Sequence, residues 1–139
     1  MNWRLVLQLS MFGVAMGLGV VFFLSPGIST ALWVIFIALS AWAIAKRCAR
    51  LRFLNGLMAG LICRLAATAA WILFFHSYVV RHPDQMALLQ ELTPRMSPRH
   101  LIELVSPVWG LGLGVVIGLA ALLIGVFLKP QAPQMGAAA

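Results

Sequence analysis

Acid is nearly absent from this chain. Three Asp or Glu stand against ten Lys or Arg in 139 residues, and only 9% of the residues are charged. A soluble domain carries about 25%, so a surface wetted on every side could not be covered here. The stretches 5–45, 65–80 and 104–128 hold no Asp, Glu, Lys or Arg at all. Paired carboxylates, or a nucleophile beside a base, are missing from them, and no enzyme is expected. Cysteine is scarce as well. Cys48 and Cys63 form neither a CxxC pair nor a Cys/His cluster, which argues against a disulfide framework and a metal site. The net charge of +7 sits beside hydrophobic runs, not along a basic helix, so nucleic acid is not an expected partner.

What is abundant is apolar length. A membrane helix needs about 20 apolar residues. The run 5–45 is long enough for two crossings and 104–128 for one, and 55–80 makes another if Arg64 is accommodated. The expected fold class is an all-α, polytopic integral membrane protein with four transmembrane helices over about 3–24, 30–45, 55–80 and 106–128. An outer loop, 81–105, carries a short amphipathic helix. Residues 1–129 form a single transmembrane domain, and 130–139, rich in Pro and Ala, reads as a disordered tail. The opening residues resemble a signal peptide, but the apolar region is too long and no A-x-A site follows, so an uncleaved first span is expected.

Turn chemistry marks the joints. Ser25, Pro26 and Gly27 predict a tight turn and a hairpin of spans 1 and 2. In the loop, Pro83 stands at a helix start and Pro94 just past its end. Ser97 reads as an N-cap with Pro98 at the first helical position. Arg99, His100 and Glu103 share one face of that helix, and Leu101, Ile102, Leu104 and Val105 the other. This predicts a helix lying on the outer bilayer surface or capping the bundle. Ser106-Pro107 is expected to re-aim the chain into span 4. Orientation follows from the Lys/Arg count. Arg4, Lys46, Arg47, Arg50, Arg52 and Lys129 fall on one side, against Arg81, Arg95 and Arg99 on the other, which predicts that both termini are cytoplasmic.

Small residues recur at helix-packing spacing: Gly13 and Gly17 in span 1, Gly56 and Gly60 in span 3, and Gly110, Gly114 and Gly118 in span 4. Such stripes let membrane helices approach closely, though each GxxxG copy is a common pattern. Whether they meet each other or a second subunit is open at this level. Arg64 is the one cation inside a span, and on a helical wheel it falls beside Gly60, Thr68 and Trp71. No acid exists in any span to pair with it. Two readings remain: the side chain snorkels to inner-leaflet phosphates, or Arg64, Thr68 and Trp71 contact a lipid headgroup, another anion or a partner subunit. His76 reads as an interfacial histidine. His82 and His100 lack metal-ligand spacing, and no cofactor is expected.

The segments "FLNGLMAGL", "HSYVVRHPDQM", "MSPRHLIEL" and "GVVIGLAALLIGVFLKP" carry a resemblance. Over 53–130 the chain is similar to a bacterial family of small four-helix membrane proteins known only as a domain of unknown function. The resemblance implies the fold, its topology and a place in the bacterial cytoplasmic (inner) membrane, but no activity and no binding residues. Members of that family usually carry an acidic residue before the proline at the exit of span 3. Here His82 precedes Pro83 and Asp84 follows it. The expected function is an accessory, structural or assembly subunit of a membrane complex, in contact with the bilayer, possible anionic headgroups and other subunits or copies of itself. The alternative is a small oligomeric transporter or channel.

Overall fold

The computed structural model describes residues 1–127 other than Ala49 and Thr93. The expected tail, and Leu128 and Lys129 before it, lie outside the described residues. The described chain is all-helical: α1 (Trp3–Phe22), α2 (Pro26–Arg47), α3 (Arg52–Leu73), α4 (Phe75–Arg81), α5 (Pro83–Leu92) and α6 (Pro98–Phe127). Four of these, α1, α2, α3 and α6, are long and apolar enough to cross a membrane.

Interior and exterior are arranged as lipid demands. Large apolar side chains face outward, such as Leu7, Met11, Val14 and Leu18 on α1. Small ones sit inside: Ala59, Cys63, Ala67 and Ala121 are fully buried or nearly so. Between helices in hydrocarbon the hydrophobic drive is absent, and close packing takes its place. α3 is the central helix. It packs most extensively against α6 and then α1, while α2 lies mainly on α6. The remaining gap between α1 and α2 is filled by aromatic rings: Phe12 stacks on Phe36 at 4.4 Å and meets Trp33 edge-on at 5.9 Å.

Two expectations about helix limits need correction. The stretch 55–80 is not one helix. α3 ends at Leu73, and Phe74 (φ −107°, ψ 33°) breaks the run before α4 begins. The second concerns Ser106-Pro107, which does not re-aim the chain. Pro107 lies inside α6, a single helix of 30 residues. At 1.5 Å per residue this is about 45 Å, longer than a hydrocarbon core of about 30 Å. The segment expected to lie flat on the bilayer is therefore the first turns of α6, continuing beyond the apolar stretch. Proline costs the Glu103 carbonyl its helical donor. Glu103 and Pro107 are both exposed, so that carbonyl has access to water or headgroups. Ser97 does cap the helix: its hydroxyl accepts the His100 N–H at 3.4 Å. Of the expected apolar face, Leu101, Ile102 and Val105 are partly buried and Leu104 is 65% exposed.

At the opposite end, a four-residue connection leads from α2 to α3, and Leu51 takes a left-handed conformation (φ 56°). Its carbonyl accepts from the backbone N–H and the side-chain Nδ2 of Asn55, both at 2.9 Å. Asn55, only 1% exposed, uses its Oδ1 to accept the Asn2 N–H at 2.9 Å. Asn2 in turn caps α1 by accepting from Leu5. This polar chain, with Asn55 buried at its centre, ties the start of α1 to the start of α3. A left-handed backbone costs a branched residue about 1–2 kcal/mol and asparagine less. Leu51→Asn is thus expected to stabilise the bundle by about 1 kcal/mol, read from thermal melting in detergent. An unchanged or lower midpoint would show that the exposed leucine side chain matters more than its backbone.

Candidate functional site

The close helix contacts are built by glycine. An added Cβ at Gly13 would run into the backbone carbonyl of Cys63, and one at Gly17 would lie 2.7 Å from the Ala67 carbonyl oxygen. A Cβ on Gly60 would meet the backbone of Gly114, and one on Gly114 would sit 2.8 Å from Leu57 Cα. Gly56 faces Gly118, and Gly118 faces Phe53. A Cβ added at Gly110 would lie 3.2 Å from the Leu61 side chain and from the Cβ of Arg64. The stripes of α1, α3 and α6 are thus spent on each other within one chain. This brings Arg64 to the α3–α6 seam at the level of Gly110.

Arg64 stands twelve residues after the first residue of α3, about 18 Å along it and near its middle. Snorkelling toward the basic end of the helix does not occur. The guanidinium turns the other way, along α3 toward its C-terminal end, and its Cζ lies 4.6 Å from the Trp71 ring centroid. Helical Cβ atoms tilt toward the N-terminus, so this direction runs against the side chain's natural lean. A partly buried cation over an indole gains about 0.5–2 kcal/mol. Trp71 stacks in turn on Tyr78 (5.5 Å, 15°), and Tyr78 meets the His82 ring at a tilt (4.8 Å, 43°). The column is anchored at its far end. Tyr78 Oη donates to Gln85 Oε1 at 2.9 Å, and His82 Nε2 donates to the Val20 carbonyl at 3.1 Å.

Beside the column lies a cavity of about 460 Å³, lined by Arg64, Trp71, Tyr78, Gln85, Ser106 and Trp109 among others. α5 lies over it through Leu88 and Leu89. A second recess of about 320 Å³ is bounded by Trp33, Arg64, Trp109 and Leu113. Arg64 and Trp109 line both spaces, one on α3 and the other on α6. Volumes of roughly 300–1,000 Å³ are those of ligand pockets. Thr68 and Ser106 hydrogen-bond through their hydroxyls across the α3–α6 seam, and Ser106 presents that pair to the larger cavity.

Two donors beside this chamber have no partner. Arg64 Nε and Trp71 Nε1 are buried and unbonded. Both side chains can only donate, and a buried donor left unmade costs about 1–3 kcal/mol. Among the described residues no acid lines either cavity. Glu103 is engaged at the surface with Arg99, 3.3 Å away. Of the sequence-level candidates, the structure therefore joins Arg64 and Trp71 directly and sets Thr68 one turn away. Tyr78, Gln85 and Trp109 were not foreseen, although the seven-residue spacing of 64, 71 and 78 was the available signal. His76 is exposed. His82 and His100 are held by Val20 and Ser97 respectively. Among the described residues no group of three His, Cys, Asp or Glu could hold a metal ion.

Comparison with family models, with curated proteins and with solved structures finds no match.

Proposed function

We propose that this chain is a small, non-catalytic membrane protein acting as an accessory subunit, which receives at Arg64 an acceptor group that it does not itself supply. One observation carries the reading: the Nε of the Arg64 guanidinium and the Trp71 indole N–H lie buried and unpartnered beside a cavity that no acid lines among the described residues. A buried donor left without an acceptor costs about 1–3 kcal/mol. Such an arrangement is expected where something from outside completes it. Purification from native membranes in mild detergent, followed by native mass spectrometry, tests this. A lipid or protein companion should remain bound. A bare chain, stable without it, would overturn the reading. The transporter alternative gains some support from two cavities that share one cation among their lining residues. It would be favoured instead if the bare chain moved an anion into liposomes.

The reading places both termini on the cytoplasmic side of a bacterial inner membrane, from the excess of Lys and Arg at that end. The α5 end, with the chamber, then faces outward. Cys48 and Cys63 are both buried, and burial pushes the Cys48 thiol above its usual range, so its reactive thiolate is scarcer at any given pH. Neither native cysteine should react with a maleimide in the folded protein. Against that silent background, Gln90→Cys on the exposed face of α5 should label fully from outside intact cells. Labelling only after lysis would reverse the orientation.

A further inference from the structure

We infer that the occupant of the Arg64 chamber is an anionic amphiphile of the bilayer. Its phosphate or carboxylate sits on the guanidinium and the Trp71 N–H, and its hydrocarbon chain lies along the recess of Trp33, Trp109 and Leu113. This rests on the proposal that Arg64 receives an outside acceptor, and adds what that acceptor is attached to.

Three observations lead there. The first is charge and donor type. Arg64 and Trp71 offer only N–H groups and a permanent positive charge, so the group they accept carries oxygen lone pairs and negative charge. A charge-assisted hydrogen bond of this kind is roughly twice as strong as a neutral one. The second is the two-part shape. The larger cavity mixes polar groups (Tyr78, Gln85, Ser106) with apolar ones, whereas the smaller recess is bounded, apart from Arg64, by two indoles and a leucine. A ligand that fills both has a polar head and an apolar extension. The third is access. Trp109, which borders both spaces, is 66% exposed, and its neighbour Val108 68%. This wall lies on the outward face of α6, where an occupant enters sideways from lipid and not through water.

A carboxylate carried by a partner helix fits less well. One turn of helix is about 10 Å across, and α5 already lies over the larger cavity through Leu88 and Leu89. A flexible acyl chain with a compact head needs no such clearance.

The test is quenching of tryptophan fluorescence by brominated lipid in phosphatidylcholine vesicles. Trp3→Phe and Trp42→Phe remove two indoles outside the chamber and leave Trp33, Trp71 and Trp109 as reporters. Acyl-brominated phosphatidylglycerol, brominated oleate and brominated phosphatidylcholine are compared at equal mole fraction. At least one anionic probe should be preferred over phosphatidylcholine by about tenfold, the worth of one charge-assisted bond. The glycerol-phosphate and oleate arms separate a phosphate head from a carboxylate. Arg64→Gln should bring the ratio close to one. Trp71→Phe, which keeps the stacked ring and removes only the N–H, should lower it several-fold without changing helix content, and it carries the test if Arg64→Gln fails to fold. Equal quenching by all three probes on the parent protein overturns the inference. If preference is absent while a co-purifying protein is lost in Arg64→Gln, the occupant is a protein acid: the inference falls and the proposed function stands. If neither a preference nor a companion is found, both fall.

Discussion

Gly114→Ala is expected to destabilise the bundle by about 3 kcal/mol, while Gly112→Ala, one turn-half away on the same helix, is expected to be neutral or slightly stabilising. The two glycines share a helix, a neighbourhood in sequence and the same propensity gain on substitution, about 0.5–1 kcal/mol. They differ in what a methyl group would meet. At Gly112 nothing lies within 4 Å, whereas at Gly114 the new carbon falls 2.8 Å from Leu57 Cα and 2.9 Å from its carbonyl carbon. Backbone on both sides cannot rotate away, so the α3 and α6 axes must separate. Overpacking of this kind costs about 1–3 kcal/mol, occasionally more. The seam opposite, where Gly60 faces Gly114, loosens with it. Gly13→Ala should behave likewise at the α1–α3 contact. Thermal melting of the three variants in one detergent decides the matter. Equal midpoints for the substitutions at 114 and 112 would show that the α3–α6 approach is not close in solution.

Arg64→Leu is expected to abolish retention of the companion through mild-detergent purification. Arg64→Lys separates two kinds of contact. The guanidinium is planar and presents parallel donors, and it can lie flat on the indole of Trp71 while gripping an anion. An ammonium is a point charge that does neither so well. Because Arg64 is stacked at 4.6 Å and its Nε is left free, lysine should retain charge attraction but lose the stack and the oriented donor. Native mass spectrometry should then show the companion nearly absent in the leucine variant and reduced about tenfold or more in the lysine variant, the equivalent of 1.4 kcal/mol or greater. If the leucine variant keeps its companion and melts higher than the parent, Arg64 is a tolerated charge and no binding site.

Much of the architecture was legible in the residues, and what escaped did so for physical reasons. Charge-free runs of the right length reveal crossing helices because only helices of that length satisfy their backbones in lipid. The turns at Pro26 and Pro83, and the Ser97 cap, follow from local chemistry that needs no tertiary partner. The glycine stripes were visible, but not their targets: a flat helix face is the same whether it meets its own chain or another, and the pairing of Gly13 with Cys63 or of Gly60 with Gly114 is set by the whole bundle. The break at Phe74 falls in an aromatic run without glycine or proline, so nothing local announces it. Pro107 misled in the other direction. A proline ends a helix where the freed carbonyl has no other recourse, and Glu103 is exposed. The direction of Arg64 was also beyond sequence, since its lean toward Trp71 opposes the helical default.

An experimental density map of the protein extracted from native membranes with no lipid added is the most direct test of an occupied chamber. Non-protein density is expected there, with an acceptor atom at about 2.7–3.2 Å from Arg64 Nε and Trp71 Nε1 and a tail running past Trp109 toward Trp33. A chamber holding only water, or closed by the chain's own side chains with both donors satisfied, would contradict that expectation.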